Sequence, residues 1–117
     1  LMEFHAARKI MFKAWNKETK LLMRLNSIEC LRGELVKKNH ILLQFTGMYD
    51  QNEEEIYDMD VLMIGTDRFI VFWDADRSGW MMSPVSSKNL AKPISKELLS
   101  RARRLWSYFE ADQKPTG

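Results

Sequence analysis

The feature that most constrains this sequence is the run Arg68 to Asp74. Phe69, Val71 and Trp73 alternate with Ile70 and Phe72, so a strand here carries apolar side chains on both faces. Such a strand needs cover on both sides, from a helix or from a partner subunit. Gly65-Thr66-Asp67 forms a tight turn before it, and Ala75 to Gly79 forms another after it. Ile56 to Ile64 is extended on the near side, and Trp80-Met81-Met82 begins a return strand on the far side. Two consecutive hairpins of this kind make a β-meander, which reads as part of a small SH3-like barrel.

The rest of the chain is arranged around that meander. Lys9 to Trp15 alternates as a strand, and Asn16 to Thr19 is turn-like. Lys20 to Ile28 is ambiguous. Leu21, Met23 and Leu25 alternate as in a strand, while Leu21, Leu25 and Ile28 also fit helical spacing. We read it as a strand paired with the first. Gly33 and Lys38-Asn39 mark turns, His40 to Thr46 is a strand, and Gly47 to Glu55 is a polar connection. After a loop rich in Ser, Lys and Pro (84–94), a helix is expected from about Lys96 to Ala111. Ser95 is its N-cap, Glu97 favours its dipole, and Ile94 with Leu99 forms a hydrophobic staple. Leu98, Leu99, Ala102, Leu105, Trp106 and Phe109 form its apolar stripe. The expected fold is α+β: one domain over 1–117, with an antiparallel barrel-like body over about 8–83, the amphipathic C-terminal helix over 95–111, and a frayed tail over 112–117.

No stretch of eighteen apolar residues occurs, and Leu1 to Ala7 has no signal-peptide run. Cys30 is the only cysteine, so no disulfide can form within the chain, which reads as cytoplasmic. A lone cysteine of this kind is expected to be packed or half-exposed. Charge is unevenly spread. Residues 1–49 sum to +5, residues 50–76 to −8 and residues 77–117 to +5, for a net +2. An acidic middle between basic ends can steer a partner, or be satisfied within the fold or between copies.

Two blocks carry a family resemblance. Lys9-Ile10-Met11-Phe12-Lys13-Ala14-Trp15-Asn16-Lys17-Glu18 resembles the "I-x-F-R-A-W-D-K-E" opening of the YopX family of small phage and prophage proteins. Gln44 to Val61, reading Gln-Phe-Thr-Gly-Met-Tyr-Asp-Gln-Asn-Glu-Glu-Glu-Ile-Tyr-Asp-Met-Asp-Val, is similar to that family's "Q-[YF]-T-G-L-x-D-x-N-G-x-E-I-Y-E-G-D-I-V". The blocks anchor about the first two thirds of the chain, and the expected C-terminal helix matches no motif. The resemblance implies a β-rich, barrel-like body with helical additions in a bacterial cytoplasm, and it carries over no catalytic residue. Glu53 and Met59 stand where the family has turn glycines. Since glycine supplies positive φ at low cost, their loss predicts turns of a different, less tight form.

Catalytic signatures are absent from the sequence. His5 and His40 lie far apart, outside any metal-ligand spacing. Asp50-x-Asn52-x-Glu54 would open a calcium loop only with Gly and Glu at its sixth and twelfth positions, which hold Glu55 and Val61. Glu53, Glu54, Glu55, Asp58 and Asp60 could pair as acid and base, but consecutive carboxylates on a polar connection read first as a solvated edge. There is no nucleophile elbow, P-loop or Gly-rich phosphate cradle. The reading is therefore a protein without enzymatic activity, without a cofactor and with no small-molecule substrate in evidence.

Two interaction surfaces remain. One is basic: Lys88, Lys92, Lys96, Arg101, Arg103 and Arg104, with Arg101 and Arg104 on one helix face. The other is aromatic and includes Tyr49, Trp73 and Trp80. Their alternatives are a solvated helix face and burial in the core. The function expected first is a phage-derived module that binds a protein partner or a second copy of itself. The second is a small-barrel nucleic-acid binder using the basic helix face.

Overall fold

Alternating apolar residues draw the chain into antiparallel strands almost throughout the computed structural model, which describes residues 6–113. Strand β1 (Phe12–Asn16) hairpins onto β2 (Leu22–Arg24), with Trp15 opposite Leu22. The turn between them is built by Asn16, whose Oδ1 accepts the N–H groups of Glu18 at 2.9 Å and Thr19 at 3.1 Å. The ambiguous segment 20–28 is thus a strand paired with the first, though a shorter one than expected. The chain then makes a separate hairpin from β3 (Glu29–Leu31) and β4 (Glu34–Val36). Its two turn residues, Arg32 and Gly33, both have positive φ (53° and 85°), the two-residue turn that suits strand twist.

Strand β5 (His40–Tyr49) returns along β1, and β6 (Glu55–Tyr57) adds to its far side, giving the order β2-β1-β5-β6. In a flat sheet the outer strands of four would lie about 14 Å apart. Here Arg24 on β2 reaches Glu55 on β6 with an N–O distance of 2.8 Å, so the sheet is strongly curled. The expected meander is present as β7 (Asp60–Ile64), β8 (Asp67–Asp74) and β9 (Gly79–Pro84). Two-residue β10 (Lys92–Pro93) flanks β9, and β11 (Ala102–Ser107) flanks β7. The result is a mostly antiparallel fold with a half-barrel sheet and one small helix.

The core gathers Ile56, Leu62, Val71, Leu99 and Ala102, with Met48, Ile64, Trp80 and Ile94 packed against it. Strand β8 is not covered evenly. Val71 is fully buried, Phe69, Ile70 and Phe72 are half-buried, and Trp73 is 49% exposed, so the expected two-sided cover fails at the strand's far end.

The long C-terminal helix is not there. Ser95 does cap a helix, its Oγ accepting the Leu98 N–H at 3.1 Å, and Ile94 and Leu99 meet in the core as a staple would. That helix, α1 (Lys96–Leu99), stops after one turn, and the next residues extend as β11 against β7. A β-bulge between Arg104 and Trp106 breaks the alternation of β11, which lets its apolar residues imitate a helical stripe in the sequence. Pairing with β7 overrides the helix propensity of Leu, Ala and Arg. A 3₁₀ segment, Tyr108–Gln113, ends the described chain, and residues 114–117 of the expected frayed tail lie outside it.

The turns around the acidic block also differ from expectation. Glu53 (φ 62°) and Met59 (φ 68°) adopt the left-handed conformation themselves, so the turns keep the tight form without glycine. A non-glycine residue in this region costs about 1 kcal/mol. Glu53 is exposed, so Glu53→Gly should stabilise the fold by about that amount, read as a higher urea midpoint with unchanged slope.

Candidate functional site

Residue 104 is held at two points by two carboxylates from the acidic block. The main-chain N–H of Arg104 donates to Asp50 Oδ2 at 2.7 Å, and its guanidinium donates to both oxygens of Asp60, at 2.9 Å and 3.3 Å. Each carboxylate also organises its own turn. Asp50 Oδ1 accepts from the N–H groups of Asn52 and Glu54, and Asp60 Oδ2 accepts from the Tyr57 N–H. The Gln51 N–H donates to the Ala102 carbonyl at 2.9 Å, adding a main-chain tie between the first turn and β11. These are charge-assisted bonds in a mostly buried setting, where they are strongest.

Burial pushes the Asp60 carboxyl up, against the pull of Arg104, the Tyr57 N–H and Lys13. Burial also works to lower Arg104, but the bonds and charge of Asp60 outweigh it and hold the guanidinium above its ordinary value. Lys13 lies over the Tyr57 ring at 4.4 Å, and burial, Arg104 and Arg24 lower its ammonium. Asp58 is the outlier. Burial raises its carboxyl to about 6, with the Trp73 N–H pulling it down and Asp60 pushing it up.

These contacts correct, at Asp60, the reading of Glu53, Glu54, Glu55, Asp58 and Asp60 as a solvated edge. Asp50 and Asp60 are 5% and 1% exposed and act as ties within the fold. Only Glu53 and Glu54 of the five carboxylates at 53–60 are freely exposed. Among the described residues, no group of three His, Cys, Asp or Glu side chains could hold a metal ion, and His5 lies outside them.

The basic surface does not survive as a unit. Lys96 is exposed on α1, Arg101 sits between α1 and β11, and Arg103 projects from β11 with a guanidinium nitrogen 3.6 Å from Met63 sulfur. Arg104 faces inward to Asp60, so Arg101 and Arg104 share no helix face. Lys92 lies over the Phe69 ring at 5.5 Å.

The aromatic set divides. Tyr49 stands edge-on to Phe45 at 5.5 Å. Trp73 and Trp80, directly opposite across β8 and β9, form an edge-to-face pair at 5.2 Å. That pair lines a cleft of about 470 Å³ with Arg8, Lys9, Gln44, Thr46 and the backbone of Gly47 and Gly79. Arg8 and Lys9 of the N-terminal segment bring positive charge to this cleft, where sequence reasoning reads Lys9 only as the start of the first strand and leaves Arg8 aside.

A second surface is equally unforeseen. Every residue of β3 and β4 is exposed, including Leu31 (60%), Leu35 and Val36, and among the described residues the two strands pair only with each other. Cys30 is exposed on this arm, where a packed or half-exposed position was expected. Cross-strand register puts Leu31 and Val36 on one face with Glu29 and Glu34, and Leu35 on the other with Cys30. The alternation that would reveal the arm is only three residues long on each side of the turn.

Two comparisons bear on this geometry. A family model described as YopX protein matches residues 5–99, well over half of the chain. No curated protein matches the chain. The match covers both carboxylate turns, the arm and the Trp cleft, and ends before β11.

Removing the Arg104 side chain leaves Asp60 buried and unpaired. Arg104→Ala should cost about 3–5 kcal/mol in urea unfolding, while Arg101→Ala, at an exposed site, should stay within about 0.5 kcal/mol. Asp58 predicts a pH dependence of defined sign. Its folded pKa of about 6 exceeds the ordinary carboxylate value, so the folded protein holds this proton more tightly than the unfolded chain. From about pH 4 to about pH 6 its contribution to stability falls as pH rises, and the penalty is complete above that window. Asp58→Asn should raise the melting temperature at about pH 8 and leave it nearly unchanged at about pH 4.

Proposed function

The chain belongs to the YopX family, and from that premise we propose that it is a non-enzymatic, phage-derived interaction module of the bacterial cytoplasm whose protein partner is a second copy of itself. The β3–β4 arm is the observation that carries this reading. A two-stranded hairpin is marginal in water without a third strand or a packed face. This one has neither within the described chain, and it exposes Leu31, Leu35 and Val36 beside two unpaired strand edges. Exposed edges of this kind are templates for strand addition.

The charges of the arm favour self-recognition. Glu29 and Glu34 alternate with Arg32, and Lys37 and Lys38 follow at its base. A two-fold contact sets each patch against its own copy, so a segment bearing both signs can pair opposite charges across the axis. The rival reading, nucleic acid on a basic helix face, loses its surface because α1 ends at Leu99 and Arg104 is committed to Asp60.

Light scattering after size exclusion, over a hundred-fold range of concentration, tests the reading. The wild type should self-associate, and Leu31→Asp/Leu35→Asp should be monomeric with the melting temperature of wild type diluted to monomer, since neither side chain packs on the core. A wild type that stays monomeric throughout, or an oligomer indifferent to the substitutions, would reject the proposal.

A further inference from the structure

The cleft beside Trp73 and Trp80 is built of parts that suit one ligand chemistry. Trp73 is half exposed, and its edge-to-face contact with Trp80 fixes its orientation while leaving ring surface open to solvent. Arg8 and Lys9 supply positive charge, and among the described residues no carboxylate lines the cleft. Among the described residues, the Arg8 and Lys9 head groups and the Gln44 amide have no hydrogen-bond or ion-pair partner, so their donors are uncommitted. Thr46 is different, since its Oγ1 donates to the Ile56 carbonyl and accepts from the Met48 N–H. Gly47 and Gly79 present bare backbone, and a Cβ built at Gly47 would meet open space, so the floor is free of side chains there.

We propose that this cleft binds a nucleobase carried on phosphate, the base stacking on Trp73, the phosphate meeting Arg8 and Lys9, and the Gln44 amide bonding the base edge. Every base has a π-face that an exposed indole can stack. An amide offers both donor and acceptor to a base edge. The cleft's volume of about 470 Å³ falls within the range of small-molecule sites, about 300–1,000 Å³. Bases in a duplex are stacked on each other and cannot reach the indole, so the ligand is a single strand or a free nucleotide. The cleft lies on β5, β8 and β9 and shares no residue with the β3–β4 arm, so its occupation is independent of self-association.

Fluorescence anisotropy with a labelled oligothymidylate, and tryptophan quenching with thymidine monophosphate, test the inference on the full chain. Duplex DNA of equal length serves as the control. Trp73→Ala should weaken binding about ten-fold to a hundred-fold, with Trp73→Phe restoring most of it. Wild-type binding should weaken as salt rises, and Arg8→Glu/Lys9→Glu should abolish it. Arg8, Lys9 and Trp73 are all exposed, so these variants should fold, and an unchanged melting curve verifies it. Binding of the oligomer alone assigns the cleft to single strands, and binding of the monophosphate as well assigns it to the base–phosphate unit itself. Binding of neither, equal binding of duplex, or indifference to Trp73→Ala in a folded variant would overturn the proposal.

Discussion

The double grip on Arg104 is the constraint on which the rest of this structure depends. Asp50 takes its main-chain N–H and Asp60 takes its guanidinium, so the last strand of the chain is fastened to two turns some fifty residues earlier. A buried carboxylate is costly unless its oxygens are satisfied, and both are satisfied here only when β11 lies against β7. The same arrangement fixes the turn from Asp50 to Glu54 and the turn from Tyr57 to Asp60, each closed by its own aspartate. That explains how Glu53 and Met59 persist at positive φ. The surrounding hydrogen bonds hold a conformation that neither side chain favours.

With that tie in place, the molecule divides into a body whose polar groups are spoken for and two surfaces whose groups are not. No buried side-chain nitrogen or oxygen lacks a partner among the described residues. In contrast, the β3–β4 arm leaves both faces and both edges open, and the Trp73 cleft gathers uncommitted donors around an exposed indole. On the readings proposed above, the arm would pair two copies of the chain, and the cleft would take a nucleobase carried on phosphate. Neither asks the chain for catalytic groups, and the buried carboxylates Asp50 and Asp60 are employed in holding β11.

How much of this is legible in the sequence follows from the length of each signal. The meander around Arg68–Asp74 is readable because alternation, β-branched and aromatic residues and flanking turns all agree there. The family blocks are readable for a different reason, the resemblance of Lys9–Glu18 and Gln44–Val61 to that family's motifs in order and spacing. The stretch after Ser100 misleads because Leu, Ala and Arg favour helix, and the bulge at Arg104–Trp106 shifts the strand's apolar positions onto a helical spacing. Asp60 looks like a member of a solvated edge and Asp50 like the first position of a failed calcium loop, since nothing local reveals a partner more than forty residues away. The pairing of Trp73 and Trp80 follows from hairpin register, whereas Arg8 and Lys9 reach the cleft only through the path of the N-terminal segment.

Amide hydrogen exchange at residue 104 tests the central claim most directly. If Asp50 holds β11 in place, the Arg104 amide in the wild type exchanges only through global unfolding. In Asp50→Ala it should then exchange through local opening, together with the rest of β11, while the β8–β9 amides stay protected. An Arg104 amide that exchanges freely in the wild type, or whose protection is unchanged in Asp50→Ala, would contradict the account.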